Sequence, residues 1–205
     1  MGAKRSFQLL SVAALSLLLT SCFDSKVPLS DPQKAKSDDH LLGAWRFRGD
    51  SGEMNYYHFG RLGEKLPASV LRVVNVQHMP DGKMQQADLL VFPTTLGGKT
   101  YLNVAEIKPS QLTALEEKGW TAEAVDAYLI LRYQITGDVL TLQWIDGDAK
   151  KRAIEAGKIK GAIEKDQDGN TRFHFTDTTE NLARFVAESG DTLFSKDALR
   201  LERVK

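Results

Sequence analysis

The 205-residue chain contains a single cysteine, Cys22, six prolines and 8% aromatic residues. One cysteine excludes an internal disulfide framework and any thiolate metal cluster. Basic and acidic residues balance at 27 each, so no excess charge argues for nucleic acid as a partner. The only long apolar run, Phe7 to Leu19, is shorter than the ~20 residues that span a bilayer comfortably. The balance of 42% hydrophobic and 26% charged residues argues against wholesale disorder, a polytopic membrane protein and a fibrous repeat. Against these absences stands a 42% hydrophobic content, enough for one domain of ordinary size with a sizeable core.

The N-terminus reads as a targeting segment. Lys4 and Arg5 precede the apolar run, and Leu19-Thr20-Ser21-Cys22 follows it. A basic start, a short apolar core and small residues before a cut describe a secretory signal peptide over residues 1–21. Leu-Thr-Ser-Cys also resembles the lipobox of bacterial lipoproteins. That resemblance implies that Cys22 becomes the first mature residue and carries palmitate-type acyl chains, making the membrane a partner. Phe23 rather than Asp follows the cysteine, which by the same resemblance favours the outer membrane, facing the periplasm. The alternative is an ordinary signal peptide cut elsewhere, with Cys22 a stray thiol. Loss of residues 1–21 removes Lys4 and Arg5 but no acid, leaving 25 basic and 27 acidic side chains.

Residues 22–40 hold two prolines and mixed charges without periodicity, the composition of a flexible tether. A single domain is expected over 41–205. Ten strands are predicted there: Ala44–Arg48, Glu53–Phe59, Val70–Met79, Met84–Phe92, Thr100–Ile107, Tyr128–Ile135, Val139–Ile145, Ile159–Glu164, Thr171–Phe175 and Ala198–Val204. Turn chemistry separates them, as in Pro80-Asp81-Gly82 and Gly97-Gly98. Three helices interrupt the meander: Ser110–Lys118, Ala149–Ala156 and Thr178–Glu188, the last with Asp177 placed to cap it. The pattern predicts a mainly β antiparallel meander, closed as a barrel or stacked as a sandwich.

Leu41-Leu42-Gly43-Ala44-Trp45 opens this domain with Gly-x-Trp just inside the first strand. The motif, the meander and a helix before the final strand resemble the lipocalins and related calycin barrels. The resemblance implies a barrel whose base is formed by Gly43 and Trp45. It also places a family arginine at Arg172 and sets Thr176-Asp177 on a Thr-Asp-Tyr motif whose tyrosine is Thr178 here. A calyx binding a small apolar or amphipathic ligand follows as an expectation, with Tyr57, Tyr101, Tyr133 and Trp144 to line it. The alternative is a filled barrel or sandwich serving as an interaction module for an envelope partner.

Catalytic and cofactor motifs are scarce. His40, His58, His78 and His174 form no H-x-H or H-x-x-x-H pair, so no metal site is expected. Asp166, Asp168 and Asn170 lack the register of a calcium loop. There is no G-x-S-x-G elbow. Glu53, Asp88 and Glu106 could form an acid pair, but their linear spacing gives that pairing no support. Lys150-Lys151-Arg152 with Lys158 and Lys160 forms a basic patch of the solvated kind. The expectation is a protein without catalytic activity or cofactor.

Overall fold

The structure, a computed structural model, describes residues 23–121, 125, 127–165 and 169–205. Cys22 and the signal segment lie outside the described residues, as do Asp166 and Asp168. In chain order the elements are β1 (Gly43–Arg48), β2 (Met54–Arg61), β3 (Leu71–His78), β4 (Met84–Leu96), β5 (Lys99–Glu106), α1 (Pro109–Lys118), β6 (Leu129–Thr136) and β7 (Val139–Trp144). There follow α2 (Gly147–Glu155), β8 (Gly161–Lys165), β9 (Thr171–Phe175), α3 (Thr179–Ser189) and β10 (Leu199–Arg203).

Eight strands close an antiparallel barrel in the order β1-β10-β7-β6-β5-β4-β3-β2, with β2 returning to β1. Closure satisfies the ladder hydrogen bonds of both would-be edge strands. The two-residue hairpin between β4 and β5 turns on Gly97 and Gly98, whose φ of 57° and 77° are the two positive values that a type I′ turn needs. Period-two alternation then sends one set of side chains inward. Trp45, Tyr57, Phe59, Leu71, Val73, Leu102, Leu131, Tyr133, Leu140 and Leu201 belong to this buried interior.

Two of the ten strands stand outside the barrel. β8 and β9 pair with each other and with no barrel strand, and together with α2 and α3 they fill the chain between β7 and β10. Their apolar side chains cover the outer wall: Phe175, Leu182, Val186 and Phe194 pack with Tyr101 and Ile130. A second outer layer is α1, whose Leu112 and Leu115 pack on Leu90, Phe92 and Ala105 of β4 and β5. At roughly 1.5–3 kcal/mol for each large apolar side chain buried, these layers add substantially to the interior.

Residues 23–40, expected as a flexible tether, are instead laid against the barrel. Ser25 bridges both Tyr128 and Phe175. The Leu29 amide donates to Asn103 Oδ1 at 2.7 Å. Asp24 accepts from the Ile130 amide and from Lys150 Nζ at 2.7 Å, with side chains only 5% and 13% exposed. Replacing Lys150 with methionine strands a buried carboxylate and should cost about 3 kcal/mol. Thermal unfolding, with limited proteolysis of residues 23–40, checks this. Unchanged stability would mean that the pair does not hold the segment.

The cap of α3 also differs from expectation. Thr178 is the N-cap, its Oγ1 accepting from the Asn181 amide. Asp177 accepts from the Lys160 amide, the Thr178 amide and Asn181 Nδ2, tying the hairpin to the helix. Arg172 lies on β9, outside the barrel, and the arginine stacked on Trp45 is Arg203.

His174 of β9 is buried beside Phe23. Burial, the largest influence, pulls its imidazole below the ordinary range. Glu164, 3.1 Å from Nε2, pushes the other way, and Lys26 and Lys150 reinforce the lowering. The folded protein therefore binds fewer protons here than the unfolded chain. This contribution to stability is complete above the unfolded value of about 6.5 and is lost as pH falls through it towards the folded value. The melting temperature should decline between pH 7.5 and 5.5, and decline less in His174→Gln. Equal slopes for the two proteins would remove His174 as the cause.

Candidate ligand site inside the barrel

One end of the barrel is sealed. A single 3-10 turn, Asp39–Leu41, places the fully buried Leu41 beneath the interior. Trp45 donates from Nε1 to the Leu41 carbonyl at 2.8 Å. The Arg203 guanidinium lies 4.1 Å over the Trp45 ring, and its amino groups donate to the carbonyls of Leu42 (2.7 Å) and His40 (2.6 Å). Gly43, with φ of 108°, brings the chain into β1 at this point. A Cβ there would stand 3.2 Å from Arg203 Nη1, so glycine serves both the backbone and the close approach. Gly43 and Trp45 thus form the base of the barrel together with Arg203, which sequence reasoning missed. Its position in a charged C-terminal strand gave no local sign of an inward role.

Above the base the expected lining residues part company. Tyr57 and Tyr133 face the interior and belong to one buried cluster with Trp45. Burial raises the phenols of both well above the ordinary value, and Tyr133 also donates to Asp38 Oδ2 at 2.8 Å. Both therefore stay neutral, able to donate a hydrogen bond but not to act as bases. Tyr101 does not line the interior. Its neighbours Leu102 and Val104 take the inner face of β5, and Tyr101 packs outside, its ring 5.5 Å from that of Phe194. Trp144 shares the parity of Leu140 and Leu142 but stands at the end of β7, 36% exposed.

The end opposite the base is polar. Asn55 on β2, with Asn75 and Gln77 on β3, is buried on the inward parity of Tyr57 and Val73. Glu53, in the β1–β2 turn, is 1% exposed, and neither carboxylate oxygen has a hydrogen-bond partner. The three acids that the sequence allowed as a pair are separated by the fold. Asp88 is held by Arg72 at 2.6 Å on the outward parity of β3 and β4, and Glu106 is exposed at the end of β5. The inner face thus has an apolar base and middle and an amide-lined far end with one carboxylate.

Among the described residues, no group of three or more His, Cys, Asp or Glu side chains is placed to hold a metal ion. Grooves at the outer wall include one of about 500 Å³ edged by Arg46, Phe47, Arg48, Met54, Arg200 and Glu202, one of about 470 Å³ edged by Arg46, Asp138, Glu202 and Lys205, and one of about 440 Å³ edged by Lys99, Arg132, Gln143 and Asp191. Compared with known proteins, the chain matches no family model, no curated protein and no solved structure.

Proposed function

We propose that this protein is a lipid-anchored component of the cell envelope, held at the outer membrane on its periplasmic side through acylated Cys22. Its barrel takes up a small apolar or amphipathic molecule. The observation that carries the ligand reading is the divided inner face, closed below by Trp45 and Arg203 and polar at the far end around Glu53. The Gly-x-Trp opening and the eight-stranded closed meander support a lipocalin-like barrel. Tyr57 and Tyr133 would meet the apolar part of the ligand, and Trp144 would stand at the rim. No catalytic step or cofactor belongs to this reading. Native mass spectrometry of the protein, expressed from its full sequence in its own host and purified without detergent, tests it. A co-purifying mass of a few hundred daltons, lost on denaturation, is expected; a clean apo mass overturns the reading.

A second reading is a filled barrel that works through its outer surface on an envelope protein partner. The dense interior packing of Leu71, Leu102, Leu131, Leu140 and Leu201 favours it, as do the charged grooves outside. The apo mass would be its expected result.

A further inference from the structure

Among the described residues, the carboxylate at the far end of the barrel has no hydrogen-bond or ion-pair partner. The β1–β2 ladder continues past Arg48 and Met54, because the Gly49 amide donates to the Glu53 carbonyl at 2.9 Å. Antiparallel partners share a face of the sheet. Phe47 and Asn55, the inward pair two steps earlier, place Gly49 and Glu53 on the inner face as well. Packing agrees, since the Glu53 carboxyl group occupies the space that a Cβ on Gly49 would fill. The absent side chain at residue 49 makes room for the acid.

Among the described residues, no lysine or arginine is paired with that group, and neither of its oxygens accepts a hydrogen bond. Three exposed acids, Asp81, Asp138 and Asp191, by contrast have lysine partners within 2.8 Å. A buried carboxylate without partners opposes folding. Glu53 shares the inner face with the buried Asn55, Asn75 and Gln77, and a partner arriving from solution would balance it.

We propose that this end of the barrel binds a singly charged cation, specifically the ammonium head of an amphipathic amine. Glu53 is the counter-ion, and the amide oxygens of Asn55 and Asn75 are further acceptors. The proposal rests on the ligand reading above and names the chemistry of the ligand's polar end. One carboxylate among neutral amides balances one positive charge. Calcium or magnesium, which draw on several oxygen ligands including carboxylates, fit poorly. An ammonium group brings up to three donors for the carboxylate and the neighbouring amide oxygens, and its bond to a carboxylate is charge-assisted. Phe47 and Tyr57 follow Glu53 on the inner face and would receive the tail.

Isothermal titration of the protein expressed from its full sequence, with octylammonium chloride, octan-1-ol and potassium chloride as probes, decides the matter. Wild type is expected to bind octylammonium at least tenfold more tightly than octanol. E53Q, which keeps the shape and removes the charge, should bring the two within twofold while leaving octanol unchanged. Should E53Q not fold, E53D is the substitute: the charge on a shorter arm should weaken octylammonium by about tenfold and spare octanol. Potassium chloride that binds wild type but not E53Q, and displaces octylammonium, would identify an inorganic monovalent ion as the source of the same charge. Equal affinity for octanol and octylammonium in wild type overturns the inference while leaving the ligand reading intact. Failure of both organic probes to bind, with no effect of potassium, overturns both.

Discussion

Replacing Trp45 with alanine is expected to remove about 4 kcal/mol of stability, from the transfer of a large aromatic plus the cavity it leaves. Relaxation has little scope here, because the ring is pinned from three directions. Its Nε1 is held by the Leu41 carbonyl, Arg203 covers its face, and Tyr57 pairs with Trp45 across β1 and β2. The substitution also leaves the buried Leu41 carbonyl without its donor and deprives Arg203 of its platform. A total stability of about 5–15 kcal/mol makes such a loss a large fraction of the whole. For a domain of this size the midpoint should fall by about 10 °C. Thermal and urea unfolding followed by circular dichroism measure both quantities. A loss below about 1 kcal/mol would show that Trp45 is not the plug of the base. Arg203→Lys should cost less, because it keeps the charge while losing the planar face and the two-carbonyl fork.

The second large effect concerns location. Cys22→Ser should move the protein from the membrane fraction to the soluble fraction. Each acyl chain buries a dozen or more methylenes at about 0.8 kcal/mol apiece, so two or three chains make release negligible. Nothing else in a mature chain with 25 basic and 27 acidic residues replaces that attraction. Cell fractionation, with the mass of the N-terminal peptide, provides the measurement. Retention of Cys22→Ser in the membrane pellet, or an unmodified Cys22, would refute the anchor. The packing of Asp24 and Ser25 adds an orientation to this prediction. With the chain locked to the wall two residues after the cysteine, the barrel could not swing on a long leash. Its β8–β9 side, where Ile163 is 57% exposed, would face the bilayer. A fluorophore at residue 163 should be quenched by brominated lipid, and one at residue 58 on the opposite wall should not.

The strands were legible because each is a local pattern. Leu140 and Leu142 alternate with Thr141 and Gln143 on β7, and the twin glycines at 97 and 98 mark a turn that few other residues can make. The position of Trp45 in the first strand was legible for the same reason. Tyr101 was not. On β5 the run from Tyr101 to Ala105 is buried without a break, because the outer layers cover the face that would otherwise meet water. Alternation of burial then vanishes, and composition no longer distinguishes inside from outside. The burial of Glu53 was hidden differently. Sequence placed it first on a strand and among three acids, and only the register opposite Gly49 shows that its side chain has an inner space to enter.

Residues 23–40 carry the composition of a linker, yet Leu29 finds Asn103 and Asp24 finds Ile130 and Lys150. These partners lie 74 to 126 residues away along the chain, and no local pattern encodes them. The hairpin β8–β9 is likewise indistinguishable in sequence from the barrel hairpins. It stands outside because β10 pairs with both β7 and β1, leaving the closed wall no edge to which another strand could add. Propensity, turn residues and period-two alternation act over a few residues, and they settled which segments are strands and where the chain turns. Barrel closure and the layers packed around it are long-range events. They decided which strands form the wall, which aromatics face inward, and that one carboxylate is buried without a partner.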